Sequence, residues 1–205
     1  MQPKEKPLSL RIWQSRELYL FLLPAVILLI VFNYLPMYGI TIAFKDFRPH
    51  LGIMGGSQGG LFMGAMLTQR PDLINAAVIQ VPLFDMLRFH KLLAGDSWKG
   101  EYGDPDIPEQ RAWIAEYSPY QRLSADAPYP QVFIHTSTKD DRVHPGHARK
   151  AAARLEELGH DVLFYENTDG GHAAGANLRE TARRVALEYT YLTRRLMRDT
   201  SGENQ

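Results

Sequence analysis

The chain has 205 residues with 23 Lys and Arg against 23 Asp and Glu, a net charge of zero and no cysteine. Length allows one sizeable domain with an appendage. Charge balance leaves no basic footprint for nucleic acid, and the missing thiols exclude cysteine nucleophiles, disulfides and cysteine metal sites.

Residues 1–17 are polar and basic, with Lys4, Lys6, Arg11 and Arg16 against Glu5 and Glu17. Residues 18–44 then carry no charge at all. That run exceeds the roughly 20 residues needed to cross a bilayer core, so it is expected to be a transmembrane helix. A signal peptide fits less well, because the apolar part is long and no A-x-A-like site follows. A buried core helix is the plain alternative. Basic residues ahead of the span favour a cytoplasmic N-terminus, an exported remainder and a single membrane anchor.

At Pro49 the pattern changes to short apolar strands alternating with helices, the mark of parallel βαβ units. Strands are expected at 51–54, 76–81, 131–137 and 161–165, and helices at 58–69, 146–158 and 177–197. Residues 83–129 form a long excursion rich in aromatics, Gly and Pro, expected to hold short helices and a functional surface. A polar tail occupies 198–205. The expected fold class is therefore α/β: about four parallel strands with flanking helices, preceded by one membrane span.

The stretch Gly55-Gly56-Ser57-Gln58-Gly59-Gly60 lies between the first strand and the first helix. G-x-S-x-G in that context reads as the nucleophile elbow of an α/β-hydrolase, and otherwise as a plain glycine-rich βα turn. Glycines on either side are expected to spare a collision between a Cβ and the strand or helix. In such folds the acid and then the histidine follow the serine on loops after later strands. The third strand runs into Asp140-Asp141-Arg142-Val143-His144, and the fourth into Asp169-Gly170-Gly171-His172. Singly, Asp140 could be a turn residue and His172 a loop histidine. In order, each at the carboxyl end of a strand, they read as an acid and base for Ser57.

Two resemblances overlie this reading. Leu20-Phe21-Leu22-Leu23-Pro24-Ala25, Tyr34-Leu35-Pro36-Met37-Tyr38-Gly39-Ile40 and Ile42-Ala43-Phe44-Lys45-Asp46-Phe47 resemble the first transmembrane segment of sugar-type ABC transporter permeases, over about residues 10–48. Nothing after Lys45 supplies the further helices of a permease, so transport is not expected. Gly55–Gly60 with Gln69-Arg70-Pro71-Asp72-Leu73, Asp85-Met86-Leu87-Arg88-Phe89-His90, Glu101-Tyr102-Gly103-Asp104-Pro105, Tyr117-Ser118-Pro119-Tyr120, Asp140-Asp141-Arg142-Val143 and Gly170-Gly171-His172 resemble the prolyl oligopeptidase family of serine peptidases, over about 50–197.

The second resemblance implies hydrolysis of peptide bonds after proline through an acyl-enzyme, with no cofactor and no metal. It implies Ser57 as nucleophile, His172 as general base and acid, and Asp140 as orienting carboxylate, two residues before Arg142; Asp141 is the competing acid. The Gln58 backbone N–H would be an oxyanion donor, Trp98 and Tyr102 would wall a proline pocket, and Leu83 and Val143 would complete its lining. Ordinary core packing is the plain reading of Trp98 and Tyr102. Arg142 would hold a substrate carbonyl.

The family also carries a β-propeller and about four strands before the elbow, neither of which is expected here. The elbow strand should then be an unpaired edge, and the second oxyanion donor, a tyrosine hydroxyl in that family, should be missing. Loss of one donor costs roughly 100- to 1000-fold in turnover. A fusion or truncation near Pro49, a partner chain that completes the sheet, a non-catalytic anchored remnant, and an acylaminoacyl peptidase or esterase are the further expectations. His144 and His147 are expected at the surface, His90 and His135 within or beside the core, and the arginines 179, 183, 184, 194 and 195 on a solvated face.

Overall fold

The computed structural model describes residues 22–24, 26–28, 51–172 and 177–197. The chain divides into two units, Met1–Pro49 and His50–Gln205. In the first, residues 22–24 and 26–28 are helical and exposed; the rest of the span expected over 18–44 lies outside the described residues, as do the polar tail and the junction at Pro49. Among the described residues no helix is long and apolar enough to cross a membrane.

The second unit runs β1 (Gly52–Gly56), α1 (Gln58–Gln69), β2 (Ala76–Gln80), α2 (Lys99–Tyr102), α3 (Pro108–Tyr117), α4 (Pro119–Arg122), β3 (Val132–Ser137), α5 (Gly146–Glu157), β4 (Val162–Asn167) and α6 (Leu178–Leu196). The four strands are parallel, in the order β1-β2-β3-β4, with Gly56 opposite Gln80, Gln80 opposite His135 and Ser137 opposite Asn167. Their carboxyl ends are therefore level, which gathers the loops after them on one rim.

Strand periodicity sorts the core into two layers. Ala77, Ile79, Val132 and Ile134 face one way and pack with Leu67 of α1 and Ala148, Ala151 and Leu155 of α5. Ala76, Val78 and Phe133 face the other way and meet Tyr191 of α6. Both faces of β2 and β3 are covered, which explains why these strands read as unbroken apolar runs. Full burial of side chains such as Ile79 and Phe84 stabilises by about 1.5–3 kcal/mol each. The Tyr191 hydroxyl accepts from Ala77 N–H (3.0 Å) and donates to the Gln131 carbonyl, so the α6 layer is bonded as well as packed.

β1 pairs only with β2 among the described residues and lies at a sheet edge, with Met54 within it and Leu51 just before it exposed. The excursion 83–129 contains three short helices and two 3-10 segments, as its length implied. It builds a satellite core of Leu61, Leu83, Met86, Phe89, Ile114 and Val143 above the sheet rim.

Candidate active site

Ser57 is the single residue between β1 and α1, with φ 58° and ψ −119°. A non-glycine residue at positive φ is strained by about 1–3 kcal/mol and persists only where its surroundings hold it. Here its N–H donates to the Gln80 carbonyl (3.0 Å), while its own carbonyl accepts from Leu61 (3.2 Å) and Leu83 (3.4 Å). The turn is thus fastened to the end of β2 and to the start of the excursion.

The glycines divide their work differently from the sequence expectation. A Cβ on Gly55 would stand 2.7 Å from the Gly59 carbonyl oxygen, so the upstream glycine is sterically required. A Cβ on Gly59 would meet nothing within 4 Å. The crowded downstream position is Gly60, whose Cβ would lie 2.7 Å from Pro82 Cβ and 3.0 Å from the Gln80 carbonyl oxygen, because α1 leaves the turn directly over the segment that follows β2.

The loop after β3 carries Asp140, a buried residue (4 % exposed). Its Oδ1 accepts from the N–H groups of Arg142 (2.9 Å) and Val143 (2.8 Å), and its Oδ2 lies 2.8 Å from His172 Nδ1. Two backbone donors on one oxygen fix the carboxylate and leave the other for the imidazole. Asp141 is exposed and makes no such contact. His172 arrives on the loop after β4, shaped by Asn167, whose Oδ1 accepts from Asp169 N–H (2.8 Å) and Gly170 N–H (3.2 Å). Ser137 Oγ donates to the Gly170 carbonyl and ties the two loops together. The hydrogen bonds of the described residues include the acid–imidazole link and none between Ser57 Oγ and His172, a contact that tightens in many enzymes only with substrate.

A cleft of about 350 Å³ opens beside the turn, lined by Ser57, Gln58, Leu83, Trp98, Tyr102 and Arg142 among others. Trp98 and Tyr102 also pack on the satellite core, so pocket wall and core packing are both true of them. Tyr102 stands edge-on to Phe89, ring centroids 5.7 Å apart. Burial and the neighbouring Glu101 carboxylate push the Tyr102 hydroxyl up to about 12, which keeps it neutral at physiological pH. The Arg142 guanidinium lies 5.9 Å from the Trp98 ring centroid. Val143 is the exception: it is buried in the satellite core, beneath the cleft and not in its lining.

Three residues take parts that the sequence did not assign to them. Glu101 Oε1 accepts from Gln58 Nε2 (2.9 Å), joining the aromatic wall to the residue after the serine. Behind the turn, buried Glu188 of α6 accepts on Oε1 from Gln80 Nε2 and from Arg184, both at 2.8 Å, and His135 Nε2 stands 2.8 Å from the same oxygen. Burial alone would raise the Glu188 carboxyl; His135 and Arg184 outweigh it and hold it below its ordinary value. Arg184 is therefore no solvated-face residue, although Arg179, Arg183, Arg194 and Arg195 are exposed. The third is His147, expected at the surface and found 2 % exposed. Its Nδ1 accepts from the N–H groups of Phe84 (3.3 Å) and Asp85 (3.1 Å), because α5 starts beneath the excursion and turns this ring inward. His90 and His135 are both buried, as read.

A serine held at positive φ between strand and helix, with an acid and an imidazole on the next rim loops of a parallel sheet, defines part of the α/β-hydrolase fold. Residues 48–198 match the model of the prolyl oligopeptidase family, and the chain belongs to that family. It is 58% identical over 149 residues to an uncharacterized peptidase, y4nA, of Sinorhizobium fredii, covering 73% of this chain and 20% of that protein. A prolyl endopeptidase of Dictyostelium discoideum is 37% identical, over 70% of this chain and 20% of its own length. Among solved structures, a post-proline cleaving enzyme from Rickettsia typhi superposes with a TM-score of 0.70 at 41% identity, covering 71% of this chain and 21% of that one. The chain thus spans about a fifth of the length of the relatives it matches.

Proposed function

We propose that residues 50–197 act as a serine peptidase that cleaves after proline, with Ser57 as nucleophile, His172 as general base and acid, and Asp140 as the orienting carboxylate. The observation that carries this reading is the Asp140 carboxylate, buried, clamped by two backbone N–H groups and directed at His172 Nδ1. A fixed acceptor at Nδ1 sets the tautomer that leaves Nε2 free to take the serine proton. Ser57 Oγ then attacks the carbonyl carbon, and the Gln58 N–H donates to the oxyanion. His172 returns the proton to the departing amine, and water, activated by the same imidazole, releases the acyl group.

In this reading Trp98 and Tyr102 enclose the pyrrolidine ring with Leu83. Val143 supports them from below, and Arg142 donates to a substrate carbonyl. The names of the Rickettsia typhi and Dictyostelium relatives favour proline over an acylaminoacyl or ester substrate. A fluorophosphonate probe on the full chain in detergent, with Ser57→Ala and His172→Ala beside it, tests the reading. Labelling abolished in both variants supports it. A folded chain that does not label overturns it, and leaves a non-catalytic remnant.

The uncharged stretch 18–44 supports a second proposal, a single N-terminal membrane anchor with an exported peptidase unit, in which the permease-like segment serves only to insert. Alkaline extraction that releases the chain from membranes would refute it. Among the described residues β1 is paired on one side alone, which supports a partner chain that supplies further strands; sedimentation of the chain as a lone monomer when isolated from its native source would refute that.

A further inference from the structure

We propose that His90, Asp104 and Asp106 bind one divalent transition-metal ion of the Zn2+ class, at the two ends of the segment that carries Trp98 and Tyr102. His90, in the 3-10 turn Phe89–Lys91, is 6 % exposed, and neither ring nitrogen has a hydrogen-bond partner. A buried imidazole left without a partner at both nitrogens is costly and asks for a ligand. Its Nε2 lies 3.1 Å from Asp106 Oδ2 without forming a hydrogen bond to it, so the ring stands beside a carboxylate that does not satisfy it.

Asp104 completes that cluster. One ligand atom from each of the three residues lies within 4.8 Å of the others. Nitrogen and oxygen ligands about 2.0–2.2 Å from a tetrahedral zinc stand about 3.3–3.6 Å apart, so the set has to contract by at most about 1.5 Å, which the exposed Asp106 side chain is free to supply. Asp106 N–H donates to Asp104 Oδ1 (2.9 Å), which holds the two carboxylates close together. Three carboxylates, Asp96, Asp104 and Asp106, share two ammonium groups, Lys91 and Lys99, and one negative charge is left over. Lys91 and Asp106 are both exposed, and such solvent-screened surface pairs contribute little, so the ammonium gives way readily to a dication. One imidazole with carboxylates selects zinc-like ions over Mg2+ and Ca2+, which favour oxygen alone.

The bound ion would join the turn at 90 to the turn at 104–106 and close the loop between them. Trp98 and Tyr102 sit in that loop, and Phe89, beside His90, packs against Tyr102. Metal would therefore stiffen the aromatic wall of the cleft, as a regulator or staple and not as a reactant.

The test is calorimetric titration of the metal-free full chain with Zn2+, with Mg2+ beside it, and needs no activity at Ser57. One ion per chain is expected, with a rise in Tm. Affinity should fall at least about tenfold in each of His90→Gln, Asp104→Asn and Asp106→Asn, the scale at which even outer-shell partners of a metal matter. No saturable binding overturns the proposal. So does binding that survives Asp106→Asn and disappears in His144→Gln or His160→Gln. Asp106 is exposed, so its variant folds even where the His90 variant does not.

Discussion

Lowering the pH from 7 should destabilise the α/β unit through His147, the loss beginning near pH 6.5, above the range in which carboxylates protonate. Burial pushes this imidazole down from 6.5 to about 4, and its Nδ1 accepts two backbone N–H groups that a protonated nitrogen could not accept. In the unfolded chain the ring titrates near its ordinary value, so below pH 6.5 the unfolded state binds the extra proton. Stability is then complete above pH 6.5 and falls as pH drops toward 4. The loss is about 2 kcal/mol at pH 5 and about 3 kcal/mol at pH 4, where it nears its limit. That is a large part of the 5–15 kcal/mol typical of a domain. Urea unfolding of the full chain at pH 7, 6, 5 and 4.5 measures it, beside His147→Asn, whose amide oxygen can accept in place of Nδ1. The variant should begin less stable at pH 7 and lose little between 6.5 and 4.5. Parallel loss of stability in both proteins over that window would refute the assignment.

Asp85 should act lower on the same scale. Burial would raise this carboxyl, but Lys150 and Gln121 outweigh it and hold it below its ordinary value; the stability it contributes is present above 3.8 and lost as pH falls through its depressed value, so Asp85→Asn should flatten the unfolding curve only below about pH 4. Gly60→Ala should cost about 1–3 kcal/mol against Pro82, whereas Gly59→Ala, in open space within α1, should be neutral or stabilise by up to about 1 kcal/mol in thermal unfolding. Glu188→Ala should cost about 2 kcal/mol in urea by stranding the Gln80 and Arg184 donors. On peptide substrates, Trp98→Ala should lower kcat/KM for proline over alanine by roughly tenfold to a hundredfold, the worth of an apolar wall; an unchanged ratio would remove Trp98 from the specificity pocket.

The fold was legible where periodicity and punctuation agree. Helix α1 runs over the expected 58–69, and the central strands β2 and β3 announced themselves by apolar runs that need cover on both faces. β4 extends two residues beyond its apolar part, because Glu166 and Asn167 pair with β3 through their backbones whatever their side chains. The residues around Ser57, Asp140 and His172 were legible through the order of motifs on successive loops. Glu188 and His147 were not, since what buries each of them comes from elements distant in sequence: Gln80 and His135 in one case, Phe84 and Asp85 in the other. No window of sequence holds both sides of such a contact. Gly60 outweighs Gly59 for the same reason, its neighbour Pro82 lying beyond the next strand.

The strictly sequential order of the sheet has a consequence for synthesis. Each new strand leaves the ribosome next to the one laid down before it, so the sheet can grow from one side without waiting for a later segment to be inserted. Ser57 is made first on that path, Asp140 two strands later and His172 after the last strand. A nascent chain therefore holds Ser57 without His172 until almost the whole unit has emerged. On the proposed reading, the order in which the strands are laid down keeps Ser57 apart from its proton acceptor until the last strand is in place.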